Sequence, residues 1–256
     1  MDLRLIRHGA VDSTSERAFA ALASGEARHG DVHLAAAQTA GRGRHGRAWS
    51  SPEGEGLYLS LVLLPPPPPW NPAALTMAAG LAVHDAISAL GLPGARLKWP
   101  NDLVVGEAKL AGVLVETRGL DPERPHYVVG VGVNVRQAKF PRELLAERPV
   151  ASLATLGLDA TVERVCTVVL EALRRRVARD PAFDSGLAGD YLRATGLSGT
   201  AVRIRVGEAE HEGRLETVSV GEGISLRDRE SRLRRFPLEI VRAVAPGLES
   251  GQPAQE

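Results

Sequence analysis

One cysteine, Cys166, is all the thiol chemistry in this chain of 256 residues. A lone thiol makes no intramolecular disulfide and no thiolate cluster for structural zinc, and it accords with a reducing compartment. Apolar runs of about 18 residues, long enough to cross a membrane, are missing as well. The charged opening MDLRLIRHGAVDST holds no apolar signal core. Net charge is absent too, because 31 basic and 31 acidic side chains cancel. A balanced chain has no global attraction for phosphate backbones or anionic lipid, so nucleic-acid binding would need a local patch. With 44% hydrophobic and 24% charged residues, neither disorder nor a coiled coil describes the whole chain. The expectation is a cytoplasmic globular protein, one domain with a smaller second one.

Scarcity also marks positions. Among the 31 basic residues only Lys98, Lys109 and Lys139 are lysine, and asparagine occurs only at Asn71, Asn101 and Asn134. Lysine is a compact ammonium and arginine a planar fork, so a chain built on arginine that keeps two lysines eleven positions apart invites a site between them. Trp49 and Trp99, two of three tryptophans, fall in the same region.

The pattern along the chain predicts an N-cap at Asp12-Ser13-Thr14 and a short helix after it. Strands are expected at Val32 to Ala37 and over residues 57 to 64, the latter stopped by Pro65 to Pro69, read as an extended polyproline spacer. Asn71-Pro72 opens a long packed helix. Arg96 to Val105 and Lys109 to Thr117 read as two strands around Gly106-Glu107, and His126 to Val135 as a third rich in valine. A helix from Val162 to Arg179 carries its apolar stripe on Val165, Val168, Val169, Leu173 and Val177, with Cys166 packing as a small apolar residue. Five short β-like segments after Leu192 suggest a small barrel. Strands buried on one face by helices give an α/β or α+β layer; the class taken forward is α+β, a central mixed sheet with packed helices, then a small C-terminal β-barrel. Residues 1–196 form the larger unit, 197–246 the barrel and 247–256 a disordered tail.

Three segments carry chemistry. GRGRHGR, residues 41–47, places glycines and arginines where a strand ends; backbone N–H groups and guanidiniums there make an anion cradle. The segment is neither a Walker loop nor a Rossmann turn, and a mobile surface loop is the plainer alternative. LKWPNDLVV, followed by KLAGVLVE, holds the turn Pro100-Asn101-Asp102 between strands, so that Asp102 and Lys109 converge or, alternatively, Asp102 merely caps the turn and Lys109 is solvated. In VVGVGVNV, residues 128–135, glycines within a strand imply close approach by a ligand or another backbone. His29 and His33 have a helical metal spacing, but Gly30 breaks a helix and no third ligand follows, so no metal site is assigned. The clusters Arg174 to Arg176 and Arg232, Arg234 and Arg235 read as solvated faces.

GRGRHGRAW, KWPND, KLAGVLVE and VGVGVNV, in this order and spacing, resemble the biotin protein ligases, the biotin-[acetyl-CoA-carboxylase] ligases. The resemblance runs from Asp12 to Leu226. It implies activation of biotin by ATP and Mg²⁺ to biotinyl-5'-AMP, then transfer to a lysine of a biotin carboxyl carrier protein. It further implies that Ser13, Thr14, Gln38, Arg42, Gly43, Arg44 and Lys109 bind biotin. Arg42, Arg44, Trp49, Asn101, Lys109 and Asn134 would bind ATP or the adenylate. Lys109, Arg44 and Asp102 would be catalytic, the aspartate by orienting or deprotonating the acceptor lysine. Carboxylate attack on a phosphate needs neutralised charge and alignment rather than a protein nucleophile, in keeping with the absence of any Ser-His-Asp or Cys-His set. Two departures stand out: Ser15 lies where the family often has asparagine, and the motifs start too early for an N-terminal DNA-binding domain, so no DNA partner is expected. A monomer and a homodimer both remain open. Alternatives are a lipoate or octanoate ligase or transferase of the same fold, and a non-catalytic nucleic-acid module using the arginine-glycine loop.

Overall fold

A computed structural model describes residues 1–118 and 125–247. Its larger sheet has seven strands: β1 (Arg4–Val11), β2 (Asp31–Gln38), β3 (Gly56–Leu63), β4 (Ala95–Lys98), β5 (Asp102–Val105), β6 (Ala108–Arg118) and β7 (His126–Asn134), in the order β1-β2-β3-β7-β6-β5-β4. Only the β1–β2 pair is parallel. A parallel pair needs a crossover, and α1 (Thr14–Ser24) supplies it.

The two faces of this sheet have different work. Leu57, Leu59, Leu61 and Leu63 of β3 and Val129, Val131 and Val133 of β7 join one apolar core with α2 (Pro72–Ala89) and α4 (Val162–Arg176). Both helices start as the residues foretell: Asn71 Oδ1 accepts from the N–H groups of Ala73 and Ala74, and Thr161 Oγ1 accepts from Arg164. On the other face α1 covers only part of the sheet, over Val62 and Val128. With a strand period of two, Ser60, Gly130 and Gly132 point to that side, which stays open beyond α1.

Several expectations are corrected. Arg96 to Val105 is not one strand, because residues 99–101 turn and split it into β4 and β5. The proline run is not uniformly extended; it bends at Pro67 and Pro68. The helix expected to Arg179 ends at Arg176. Three elements escape the pattern altogether: β1, α3 (Arg142–Glu147) and α5 (Leu187–Thr195).

The C-terminal strands β8 (Ala201–Val206), β9 (Ala209–Ser219), β10 (Gly223–Arg227), β11 (Leu233–Phe236) and β12 (Val241–Pro246) are all present, in the order β11-β10-β9-β8-β12. They form an open antiparallel sheet, not a closed barrel. Closure would require β11 to pair with β12; β11 has four residues, Pro237 follows it without an N–H, and the chain crosses to β8 instead. The apolar core is continuous between the sheets and includes Val202, Ile204, Leu215 and Leu226. Trp99 Nε1 donates to Val241 O at 3.0 Å across the junction. Of the tail foreseen from 247, Gly247 donates to Ala201 O; the remainder lies outside the described residues. No described helix is long and apolar enough to cross a membrane.

Candidate active site

The open sheet face, the loop after β2 and the edge of the C-terminal sheet enclose a cleft of about 380 Å³. Ser13, Thr14, Gln38, Arg42, Gly43, Arg44, Trp49, Asn101, Asp102 and Lys109 all line it. Residues scattered over almost a hundred positions thus meet because β2, β3, β7, β6 and β5 are consecutive in the sheet.

One end of the cleft is a hydrogen-bonded floor. Gln38, last in β2, accepts at Oε1 from the Thr14 N–H at 2.8 Å and donates from Nε2 to Ser51 Oγ at 2.8 Å. Ser60 Oγ lies 2.8 Å from Thr14 Oγ1 and 3.0 Å from Ser15 Oγ. Ser13 and Thr14 are buried, and Ser13 does not cap α1 with its side chain, so its hydroxyl is available to the cleft. Ser15, at the departure position, therefore completes a cluster of small hydroxyls. Ser60 was invisible in the sequence, where it is one polar residue in an apolar run.

The strand glycines answer to a specific neighbour. Gly112 and Gly132 are register partners on β6 and β7, and their missing side chains leave a notch filled by the Trp49 indole. A Cβ on Gly132 would lie 2.4 Å from Trp49 Cε2, and one on Gly112 3.2 Å from Trp49 Cζ3. Trp49 Nε1 is buried without a hydrogen-bond partner. Gly130 makes room in turn for Ser15 Oγ, 3.3 Å from a Cβ placed there.

Lys109 reaches this face through a bulge. Leu103 pairs with Ala111 but Val104 with Lys109, so Leu110 is an extra residue on β6. The insertion reverses the alternation and sends Lys109 to the same side as Gly112. Its Nζ lies 2.6 Å from Asp102 Oδ1 and 5.2 Å from the Trp49 ring centre. Burial pulls the Lys109 pKa down, and Asp102 opposes that shift. The alternative in which Lys109 is solvated is thereby set aside. Asn101 Nδ2 donates to Val113 O at 2.6 Å, and the Val113 N–H returns a bond to Asn101 O, locking the turn that carries Asp102.

Guanidiniums dominate the rest of the wall. Arg44 sits on the loop between Gly43 and His45; burial pulls its pKa down, Asp102 opposes the shift and Arg242 adds to it. Arg47, the last residue of the predicted cradle, lines the cleft as well, as do Arg148, Arg205 and Arg242, and none of these last three was foreseen. Arg205 and Arg242 come from β8 and β12, where another bulge, between Val241 and Ala243, leaves Arg242 outside the ladder and re-aims it. No pattern in a string of arginines distinguishes these from solvated ones.

Two predicted residues are occupied elsewhere. Asn134 does not line the main cleft; its Nδ2 donates to Ala151 O at 2.9 Å and, at 3.5 Å, to Lys109 O. It fixes the backbone that carries Lys109. Arg42 lines the cleft, yet its guanidinium is paired with Glu16 and Glu116. The histidines excluded as a metal pair are apart in role: His29 Nδ1 accepts from the Leu64 N–H, while His33 Nδ1 faces His8 Nε2 at 3.1 Å.

The sequence profile of the Biotin/lipoate A/B protein ligase family matches residues 9–134, the stretch that supplies all of the cleft lining except Arg148, Arg205, Arg242 and Ala243. The biotin--[acetyl-CoA-carboxylase] ligase of Mycobacterium tuberculosis is 37% identical over 201 residues, which is 76% of this chain and 71% of that protein. This chain belongs to that ligase family. Its relative of the same name in Paracoccus denitrificans is 33% identical over 199 residues, 76% of this chain and 82% of that one. Among solved structures, the biotin protein ligase from Aquifex aeolicus in complex with biotin and ATP superposes with a TM-score of 0.75 at 28% identity, covering 95% of this chain and 99% of that chain. The family fold thus extends through the C-terminal sheet, beyond the matched 9–134 segment.

Proposed function

We infer that this chain is an ATP-dependent biotin ligase that forms biotinyl-5'-AMP and passes the biotinyl group to a lysine of a biotin carboxyl carrier protein. The observation that carries this reading is the half-buried Lys109–Asp102 pair in a cleft that also holds a hydroxyl floor and the guanidiniums of Arg44, Arg47, Arg205 and Arg242, which have no ion-pair partner among the described residues. It is supported by family relatives named for the same reaction.

In the first step a biotin carboxylate oxygen bonds to the α-phosphorus of ATP and the bond to the β-phosphate oxygen breaks, releasing pyrophosphate. Both reactants are anions, so the barrier is largely their repulsion and alignment. Lys109 and Arg44 supply positive charge that burial leaves poorly solvated and ready for a phosphate. Ser13, Thr14 and Gln38 provide directional bonds for the ureido end of biotin. The tryptophan notch gives a flat apolar surface, and Arg47, Arg205 and Arg242 face the polyanionic tail of ATP. Mg²⁺ would arrive on the ATP phosphates: among the described residues no three-residue carboxylate or histidine cluster is built to hold a metal, and Asp102 is the one carboxylate lining the cleft.

In the second step a neutral lysine amine bonds to the acyl carbon and the acyl–phosphate bond breaks, releasing AMP. Once a phosphate competes for Lys109, Asp102 keeps only Arg148, 3.7 Å from its Oδ2, as a cationic partner and can accept the proton that the amine must lose. Residues 1–196 would form the catalytic unit, and the C-terminal sheet would contribute Arg205 and Arg242 to it.

The test is exchange of labelled pyrophosphate into ATP, with biotin, lipoate and octanoate supplied separately. Exchange with biotin alone is expected. Lys109→Ala and Arg44→Ala should each slow it by on the order of 10²-fold or more with thermal melts intact. A folded wild-type protein that exchanges with none of the acids overturns the reading, and exchange with lipoate or octanoate instead moves it to the other branch of the family.

A further inference from the structure

The arginine-glycine loop is tied down by groups outside the cleft. Arg42 Nη1 lies 2.5 Å from Glu16 Oε1 on α1, and Nη2 lies 3.1 and 3.0 Å from the two Glu116 oxygens on β6. Glu16 is held in its turn by Arg118, which donates to both of its oxygens at 3.0 and 2.7 Å and stacks over the Phe19 ring at 4.0 Å. Arg118 also stands 3.8 Å from Glu116. Two arginines and two glutamates therefore form a closed, charge-neutral ring at the place where α1, β6 and the loop meet.

What holds Arg42 holds the whole loop. The backbone of Arg42 bridges Ala48, and the Gly43 N–H donates to Arg47 O at 2.7 Å, so residues 42 to 48 form a pinched ring. Its far end continues into Trp49, seated in the glycine notch. Between these two anchors lie Arg44 and Arg47, which have no carboxylate within ion-pair distance among the described residues. His45 and Gly46 between them adopt positive φ of 57° and 74°. Arg42 has both terminal nitrogens on carboxylates and only its buried Nε without a partner; Arg44 and Arg47 carry charge that no carboxylate within ion-pair distance offsets.

We propose that Glu16 and Glu116 are positioning residues, which clamp the loop over the cleft through Arg42 and so govern how long the adenylate is retained, without touching the reactants. This rests on the ligase reading above. An acyl adenylate is exposed to water and to bystander amines once it leaves, so retention determines how much of it reaches the carrier.

The experiment compares wild-type protein with Glu16→Gln, Glu116→Gln and the double variant. After one turnover with biotin and ATP, adenylate that escapes is captured by hydroxylamine in solution. In a parallel reaction trypsin reports loop opening by cleavage after Arg44 and Arg47. The double variant should release adenylate roughly five- to tenfold faster, the scale of losing two partly exposed ion pairs. Its loop should be cut faster by a similar factor, Arg42→Lys should fall between it and wild type, and added salt should speed escape in wild type more than in the double variant. Wild-type escape and wild-type cleavage in a folded double variant overturn the proposal. If the double variant does not fold, the single variants are read by the same two measures. A wild-type protein that makes no adenylate speaks against the ligase reading instead, and the proteolysis arm still decides whether the ring clamps the loop.

Discussion

Replacing Gly132 by valine would set a Cβ 2.4 Å from Trp49 Cε2, closer than atoms pack, so the indole has to leave its notch. The fluorescence of Trp49 should shift to the red, and adenylation should fall at least about tenfold if the notch positions the nucleotide. A Gly132→Val protein with wild-type emission and exchange would separate Trp49 from the reaction. At this scale the sequence was informative where a residue type is rare: Lys109 and Asp102 do converge. It was silent on partners. Whether Arg42 meets a phosphate or Glu116, 74 positions away, depends on which strands become neighbours. The same holds for Asn134, whose amide looks like a ligand group in VGVGVNV but is consumed by Ala151 O and Lys109 O.

Between β1 and β2 the protein carries an acid-sensitive contact. His33 is buried against His8, beside Asp31 and Arg4, and burial first, then His8, depress its pKa to about 4. Burial also depresses that of His8, with Arg17 adding to the shift. Below the ordinary histidine value the unfolded chain takes up protons that the native protein refuses. Stability from these groups is therefore fully present above about pH 6.5 and is lost as pH falls toward 4. His33→Gln should flatten that part of a stability-versus-pH curve from urea melts, and an unchanged slope would exclude the pair as its source. Elements with clear periods or caps, α1, α2, α4, β2, β3 and β7, were legible. The missed ones have physical excuses: β1 is a largely exposed edge strand without strict alternation, and α5 has Gly189 in its interior, which weakens the helical pattern. The break after Lys98 was legible as a turn signal at Pro100-Asn101, yet the apolar run on either side favoured one longer strand.

Across the whole molecule, the C-terminal sheet is brought to the cleft by Trp99, whose ring meets Tyr191 edge-on at 5.8 Å and whose Nε1 bonds Val241 O. Burial pushes the Tyr191 pKa upward, and its hydroxyl donates to Pro100 O at 3.0 Å, so the turn before Asp102 is gripped from two sides. Trp99→Phe keeps the apolar contact and removes one hydrogen bond, a loss of about 1 kcal/mol. Because Arg242 follows Val241 directly, the variant should also raise the KM for ATP more than it lowers the pyrophosphate-exchange kcat. Equal effects on both would show that the junction supports folding only.

From residues alone came a layered α/β or α+β class, the order of most elements, and a set of glycines and arginines that the structure gathers with Lys109, though not Lys98, into one cleft, since periodicity, capping and turn chemistry are local. Tertiary structure alone decided what those residues face. One extra residue in β6 turns Lys109 toward Asp102, one in β12 turns Arg242 toward the cleft, and the failure of β11 and β12 to meet leaves a sheet open where a barrel was expected. Such outcomes hinge on register and on contacts between segments far apart in the chain, where a shift of a single residue exchanges one face for the other.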